Sequence, residues 1–394
     1  MDRPLRVLQL IDSLDRPGGA ERSLATLAPH LLEQDVDLHV AYLVERDGYQ
    51  ADLTRIGVRV HSMAGDPASR RQWMLRTGSL IGDLQPDVVH TTLFEADLAG
   101  RRAAWRMCVP CISSLVNTAY GRTESNRSEA SKLKVRGAHA ADAFTARRVS
   151  RFHAVTQHVA TVMGRRLMIP KRKIEVIPRG RDASVLGRRS LQRRRSARQR
   201  LGLRGDVPLI LAVGRHEPQK GFDVLLRSLP AVRLQVPDVQ VLVAGREGRA
   251  TPLMSELRAQ AGLSETVTFL GMRDDVADLL AAADVLAFPS LWEGAAGTVL
   301  EAMALECPVV SSRLPTILET IDDSTAELVT PGDVDDLARG LLTALVDKQT
   351  ASRRASASRL RFEADYTIEA SAHRTAKLYQ RVAMTGRRAN AGSR

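Results

Sequence analysis

The chain has 394 residues, 44% apolar and 26% charged, which is enough to bury two cores and excludes a disordered or fibrous protein. Three cysteines are too few for a disulfide framework, and no Cys/His set has the spacing of a structural zinc site. The net charge of +12, carried by 50 Arg and seven Lys, admits an anionic partner: nucleic acid, an acidic membrane face or a phosphorylated substrate.

No run of about 18 uncharged apolar residues occurs, so neither a signal peptide nor a membrane span is predicted and the expected location is cytoplasmic. The first apolar run, Leu5–Ile11, reads as a strand; Asp12–Gly19 follows as a loop, and Ala20–Gln34 carries Leu24, Leu27, Leu31 and Leu32 at helical spacing. Further strands are predicted at Val36–Val44, Val58–Met63, Val88–His90, Cys111–Val116, Phe152–Thr156 and Ile174–Ile177, with helices such as Ala96–Met107 and His158–Met168 between them. A second series begins at Pro208–Val213 and continues through Val239–Ala244, Val267–Leu270, Val285–Phe288, Val309–Ser312 and Glu327–Thr330. Its intervening helices are Gly221–Gln235, Asp274–Ala283 and Thr298–Leu305.

Strands alternating with helices predict parallel sheets covered on both faces. The expected architecture is α/β: two Rossmann-like, doubly wound domains facing a cleft. The expected division is a domain over 1–178, an Arg-rich linker over 179–206 with ten arginines between Arg179 and Arg204, and a second domain over 207–365. A helix at 366–384 is expected to pack back on the first domain, with a flexible tail over 385–394.

In such sheets, ligands gather beyond the carboxyl ends of the strands, where helix N-termini offer free N–H groups to anions. At the first junction, Gly18-Gly19 allows close backbone approach to a ligand; a tight turn without a ligand is the alternative. The second half opens with Gly214-Arg215 and reaches Lys220-Gly221, placing two cations where a diphosphate would need them, or two solvated surface cations. The stretch Phe288–Ala304 sets Glu293 and Glu301 eight positions apart across Gly294, Ala295, Ala296, Gly297 and Thr298. Glu301 suits the paired hydroxyls of a ribose and Glu293 those of a sugar, while the small residues leave backbone N–H groups bare. The bland alternative is a carboxylate complementing a helix dipole and a second one in solvent.

As a set, Gly18-Gly19-Ala20-Glu21, His90, Pro178–Asp182, Gly214-Arg215 with Lys220-Gly221, and Glu293 to Glu301 resemble glycosyltransferase family 4, over nearly the whole chain. The resemblance implies a GT-B fold and a retaining transferase, with no cofactor, that moves a sugar from a nucleotide-diphosphate sugar, UDP favoured over GDP. It implies Arg215 and Lys220 on the diphosphate, Glu301 on the ribose, and Glu293 with the backbone of Gly294–Thr298 on the sugar. Gly18, Gly19 and Gly214 would approach the donor, and Met272 lies where main chain contacts the base. The family works without a bound metal, and the departing phosphate is thought to accept the acceptor proton on the same face. The chain departs from the pattern at Arg179, at Ala295-Ala296, and at Asn117, near where many relatives place a histidine. His90, ending its strand, is a further site candidate, with a hydrogen-bonded structural histidine as the alternative.

The implied partners are a nucleotide sugar and a glycan, glycolipid or lipid-linked acceptor, in cell-surface polysaccharide or glycolipid assembly, with an anionic membrane surface at the inner face. Nucleic acid is disfavoured, because aromatic residues are 4% of the chain and no aromatic RNA-binding strand pair is present. Cys108 and Cys111 mimic a redox pair but follow a helix instead of opening one. The competing readings are a sugar-nucleotide epimerase of the same architecture, and a basic protein that binds nucleotide sugars or anionic surfaces without turnover.

Overall fold

The structure is a computed structural model that describes residues 3–16, 18–65, 69–120 and 132–391. Its contacts divide it into two units, one running to Gly180 and resuming at Ile368, the other Arg181–Thr367.

The first unit holds strands β1 (Leu5–Ile11), β2 (Val36–Tyr42), β3 (Arg59–Ser62), β4 (Val88–Thr92), β5 (Cys111–Leu115), β6 (Arg151–Ala154) and β7 (Ile174–Val176). They form one parallel sheet in the order β3-β2-β1-β4-β5-β6-β7. Its helices are α1 (Gly19–Leu32), α2 (Gln50–Arg55), α3 (Arg70–Leu84), α4 (Phe94–Arg106), α5 (Lys132–Ala146) and α6 (Gln157–Arg166). Central strands of such a sheet are covered twice, which is why β1 reads as an almost unbroken apolar run: Val7, Leu8, Leu10 and Ile11 are all buried. Helix α1 adds the stripe Leu24, Ala28 and Leu31, and Thr156 starts α6 by accepting a hydrogen bond from the Val159 amide.

The second unit holds helices α7 (Ala183–Leu186), α8 (Leu191–Arg200), α9 (Phe222–Gln235), α10 (Thr251–Gln260), α11 (Val276–Ala282), α12 (Gly297–Ala304), α13 (Val334–Val346) and α14 (Lys348–Asp365). Its strands are β8 (Leu209–Val213), β9 (Gln240–Ala244), β10 (Val267–Gly271), β11 (Val285–Phe288), β12 (Val309–Ser312) and β13 (Glu327–Val329), in the order β10-β9-β8-β11-β12-β13. The direction of winding reverses between β8 and β11, which leaves a crevice at their carboxyl ends.

Of the segment 179–206, expected as a linker, residues 181–206 are instead part of the second unit's body, and Arg179 and Gly180 belong to the first. Arg193 pairs with Asp278 at 2.7 Å, and Arg194 and Arg198 share Asp284, each at 2.7 Å. Arg198, 4% exposed, also donates to the carbonyls of Ala282, Gly205 and Val207. The arginine run binds α8 to the end of α11, so a charge pattern that suggests a solvated strap is consumed internally. Arg198→Ala takes from Asp284 one of its two arginines and leaves the Ala282, Gly205 and Val207 carbonyls without this donor, and is expected to cost about 3 kcal/mol, read as a lower urea midpoint.

Helix α15 (Ile368–Ala391) returns to the first unit, where Ala372, Ala376 and Tyr379 enter the core beside α1 and β1. The flexible tail expected from 385 is helical through Ala391, because arginines and alanines favour the helix whatever their polarity; residues 392–394 lie outside the described set.

Candidate active site

In the second unit the site grows from two loops at the switch point. The loop after β8 turns at Gly221, whose φ of +63° is left-handed and where a Cβ would lie 2.1 Å from the Pro289 carbonyl oxygen. Only glycine lets the two loops approach this closely. Gln219 then ties them: its side chain donates to the Trp292 carbonyl at 2.8 Å, and its own carbonyl accepts the Leu291 amide at 2.8 Å. This clamp delivers Lys220 to Glu293.

Lys220 Nζ sits 2.5 Å from Glu293 Oε1, which also accepts the Ser290 hydroxyl at 2.9 Å. The Glu293 main chain is fixed from behind by Thr316, which donates to its carbonyl at 3.1 Å. Glu293 is 8% exposed, yet among the described residues nothing donates to its Oε2, leaving one carboxylate oxygen for an incoming hydroxyl. The Lys220 stem lies against Gly214, where a Cβ would be 3.2 Å from it. Arg215 is exposed, and its guanidinium has no hydrogen bond or ion pair among the described residues. Gly294, Ala295 and Ala296 lead into α12, whose first residues, Gly297 and Thr298, begin a turn with N–H groups outside the helical ladder.

Glu301, 1% exposed, is paired with Arg181 at 2.9 Å between Nε and Oε1. Arg181 was not singled out by sequence reasoning. A signal was present in Gly297, where a Cβ would lie 2.1 Å from the guanidinium. Met272, just past β10, is 56% exposed.

The remaining candidates belong to the first unit. Gly18 caps α1, and a Cβ there would lie 1.9 Å from the Glu21 carboxylate, which folds back over the helix start and has its pKa raised by burial. The Gly19 carbonyl accepts Arg179 at 3.2 Å. Asn117 is exposed just beyond β5.

His90 is 4% exposed, with Nδ1 2.8 Å from the Tyr379 hydroxyl and Nε2 2.8 Å from Ser114 Oγ. Burial, with His153 nearby, pushes its pKa down to about 3, so it is a neutral member of a hydrogen-bond network. The folded state therefore resists a proton that the unfolded chain accepts near 6.5. The contribution is complete above 6.5 and is lost as pH falls towards 3, by about 1.4 kcal/mol per unit. His90→Gln is expected to flatten the dependence of unfolding free energy on pH in that window, relative to the parent. Cys111 is likewise inert: buried at the start of β5, its thiol is pushed up to about 12.

Residues 17–185 match the family model "Glycosyltransferase Family 4", and residues 207–347 match "Glycosyl transferases group 1". The chain is 30% identical over 215 residues to a GDP-mannose-dependent monoacylated alpha-(1-6)-phosphatidylinositol monomannoside mannosyltransferase of Corynebacterium glutamicum, covering 52% of this chain and 56% of that protein. It is 29% identical over 302 residues to a D-inositol 3-phosphate glycosyltransferase of Mycolicibacterium vanbaalenii, covering 72% of this chain and 65% of that protein. Both alignments thus span less than two thirds of the relative's length. Among solved structures, Anabaena Alr3699/HepE in complex with UDP and glucose superposes with a TM-score of 0.83 at 21% identity, over 95% of this chain and 99% of that one. That likeness shows the fold, two parallel-sheet α/β units of the GT-B type.

Proposed function

Since the chain belongs to glycosyltransferase family 4, we propose that it transfers a sugar from a nucleotide-diphosphate sugar to a glycolipid or lipid-linked glycan, with retention at the anomeric carbon. The observation that carries this is the Lys220, Glu293 and Ser290 cluster beside the open first turn of α12. Arg215 and Lys220 meet the diphosphate, the α12 turn receives an anionic or hydroxyl oxygen, and Glu293 Oε2 accepts a sugar hydroxyl. Glu301, held in one orientation by Arg181, faces the ribose. As the anomeric bond to the diphosphate breaks and the acceptor oxygen bonds to that carbon, the acceptor's proton passes to the departing phosphate. The growing charge on that phosphate is what the two cations stabilise, an electrostatic contribution that needs no protein nucleophile.

A UDP-sugar is favoured over a GDP-sugar, supported by the UDP complex of the structural neighbour, while the corynebacterial relative is named for GDP-mannose. The same relative is named for a phosphatidylinositol-based acceptor, which supports a lipid-linked acceptor and a place at the anionic inner face of the membrane, the protein's net charge being +12. No helix among the described residues is long and apolar enough to cross a membrane.

The test is to incubate the protein with labelled UDP- and GDP-sugars and anionic vesicles carrying bacterial lipid extract, with EDTA present. Label is expected in the lipid fraction and not with Lys220→Ala. A folded protein that labels no lipid from any donor would overturn the proposal.

A further inference from the structure

Arg181 orients Glu301, but that alone does not account for where its guanidinium ends. Gly297 is helical without a left-handed φ, so its backbone does not call for glycine. A Cβ there would lie 2.1 Å from Arg181 Nη2, and the missing side chain is the space that this nitrogen fills. The Cα–Cβ bonds of a helix tilt towards its N-terminus, so Nη2 stands at the end of α12 where the open N–H groups are. A helix start is partly positive and ordinarily attracts an acidic residue, but the first turn of α12 holds none and meets a cation instead.

The guanidinium is aimed from a fixed base. The Arg181 amide donates to the Tyr366 carbonyl at 3.0 Å, and Asp182 starts α7 by accepting the Ser184 and Val185 amides at 2.8 and 3.2 Å. Glu301 lies one turn beyond Gly297, and its carboxylate, pointing back along α12, accepts Arg181 Nε at 2.9 Å. Arg181 with Glu301, and Lys220 with Glu293, each cancel to no net charge. Both carboxylates are therefore matched before the positive start of α12 is counted.

We propose that Arg181 is a third cation of the donor's diphosphate site, and the residue that makes the site select a diphosphate over its nucleoside; this rests on the nucleotide-sugar reading and deepens it. Nε stays on the carboxylate that faces the ribose, while Nη2 and the first N–H groups of α12 take oxygens of one phosphate, whose charge relieves the contact between guanidinium and helix start. The guanidinium spans the two because its donors lie in one fixed fork, whereas an ammonium serves one end only. Ribose and phosphate are thereby read through a single ion pair, and a nucleoside without phosphates gains little from it.

The test is to measure binding of UDP, GDP and ADP, of their nucleosides and of inorganic pyrophosphate to the full chain, by calorimetry for the anions and saturation-transfer NMR for the nucleosides. Arg181→Gln is expected to weaken pyrophosphate binding, and to lower the preference for a diphosphate over its nucleoside, by about 10–100-fold. Arg181→Lys should recover little of either. Gly297→Ala puts a methyl group where Nη2 stands, changes no charge and suits a helix, so it should unfold like the parent and show the same loss. Combined with Arg181→Gln it should add nothing, since both act through one guanidinium. A purely structural Arg181 would lower the unfolding free energy and leave the preference where it was. That result, losses that add in the double variant, or a folded parent that binds neither pyrophosphate nor any diphosphate would overturn the proposal; the first two would leave the nucleotide-sugar reading intact. Pyrophosphate binding that depends on Arg181, with no binding of any nucleotide, would leave the phosphate contact standing and count against that reading.

Discussion

Glu301→Ala is expected to lower the stability of the second unit by about 3–5 kcal/mol and to remove nucleotide-sugar binding. The stability loss follows from Arg181, a guanidinium 6% exposed that would be left without the carboxylate 2.9 Å away. Truncating one partner of a buried ion pair costs far more than the pair itself contributes, so the damage comes from removing the carboxylate. The double change Arg181→Met with Glu301→Leu separates the two roles. It removes both charges from a buried site and should recover most of the unfolding free energy, yet it restores no carboxylate to the proposed ribose site. Urea unfolding followed beside nucleotide titration reads both quantities. Recovery of nucleotide binding in the double variant would show that Glu301 acts only through packing.

Lys220→Ala has its largest effect on turnover. In the free protein the ammonium rests on Glu293 at 2.5 Å and over the Phe288 ring at 5.5 Å, half-buried and close to where the diphosphate is proposed to lie. The charge matters most as the phosphate departs, so kcat/KM is expected to fall about 10²–10³-fold, mostly in kcat. Lys220→Arg should restore only part of this, because a planar fork does not fit the space of a point charge lodged between Glu293 and Phe288. An unchanged kcat with a raised KM would instead assign Lys220 to ground-state binding.

Much of this fold was legible because its strands are nearly continuous apolar runs that end in glycine-containing loops. Val285–Phe288 and Val309–Ser312 have the same bounds in the sequence reading and in the structure. Helix α14 is harder to see: its buried residues Ala351, Ala355, Ser358 and Phe362 include only one large apolar side chain, so no stripe marks it. The arginine run was misread for a related reason. Charge composition says nothing about where partners lie, and Asp278 and Asp284 stand 85 and 90 residues beyond Arg193 and Arg194.

For the candidate site, the pairing of Lys220 with Glu293 follows from two loops that each end a neighbouring strand, and such proximity is implied by the doubly wound order. Arg181 was not legible, because it reaches Glu301 across 120 positions with only Gly297 to hint at the space it occupies. His90 shows the opposite limit. Its expected place at a strand's end marked it as a candidate, but β4 runs on to Thr92, and burial and two hydrogen bonds make the mid-strand His90 a fixed link between β4 and α15.

The most direct measurement is thermal unfolding of the purified protein against a panel of UDP-, GDP- and ADP-sugars, in the parent and in Lys220→Ala. A ligand at 100 times its dissociation constant adds about 2.7 kcal/mol of stability, well within reach of the method. Stabilisation by the sugars of one nucleotide is expected, largely lost in Lys220→Ala. No stabilisation by any of them in a cooperatively unfolding parent would contradict it.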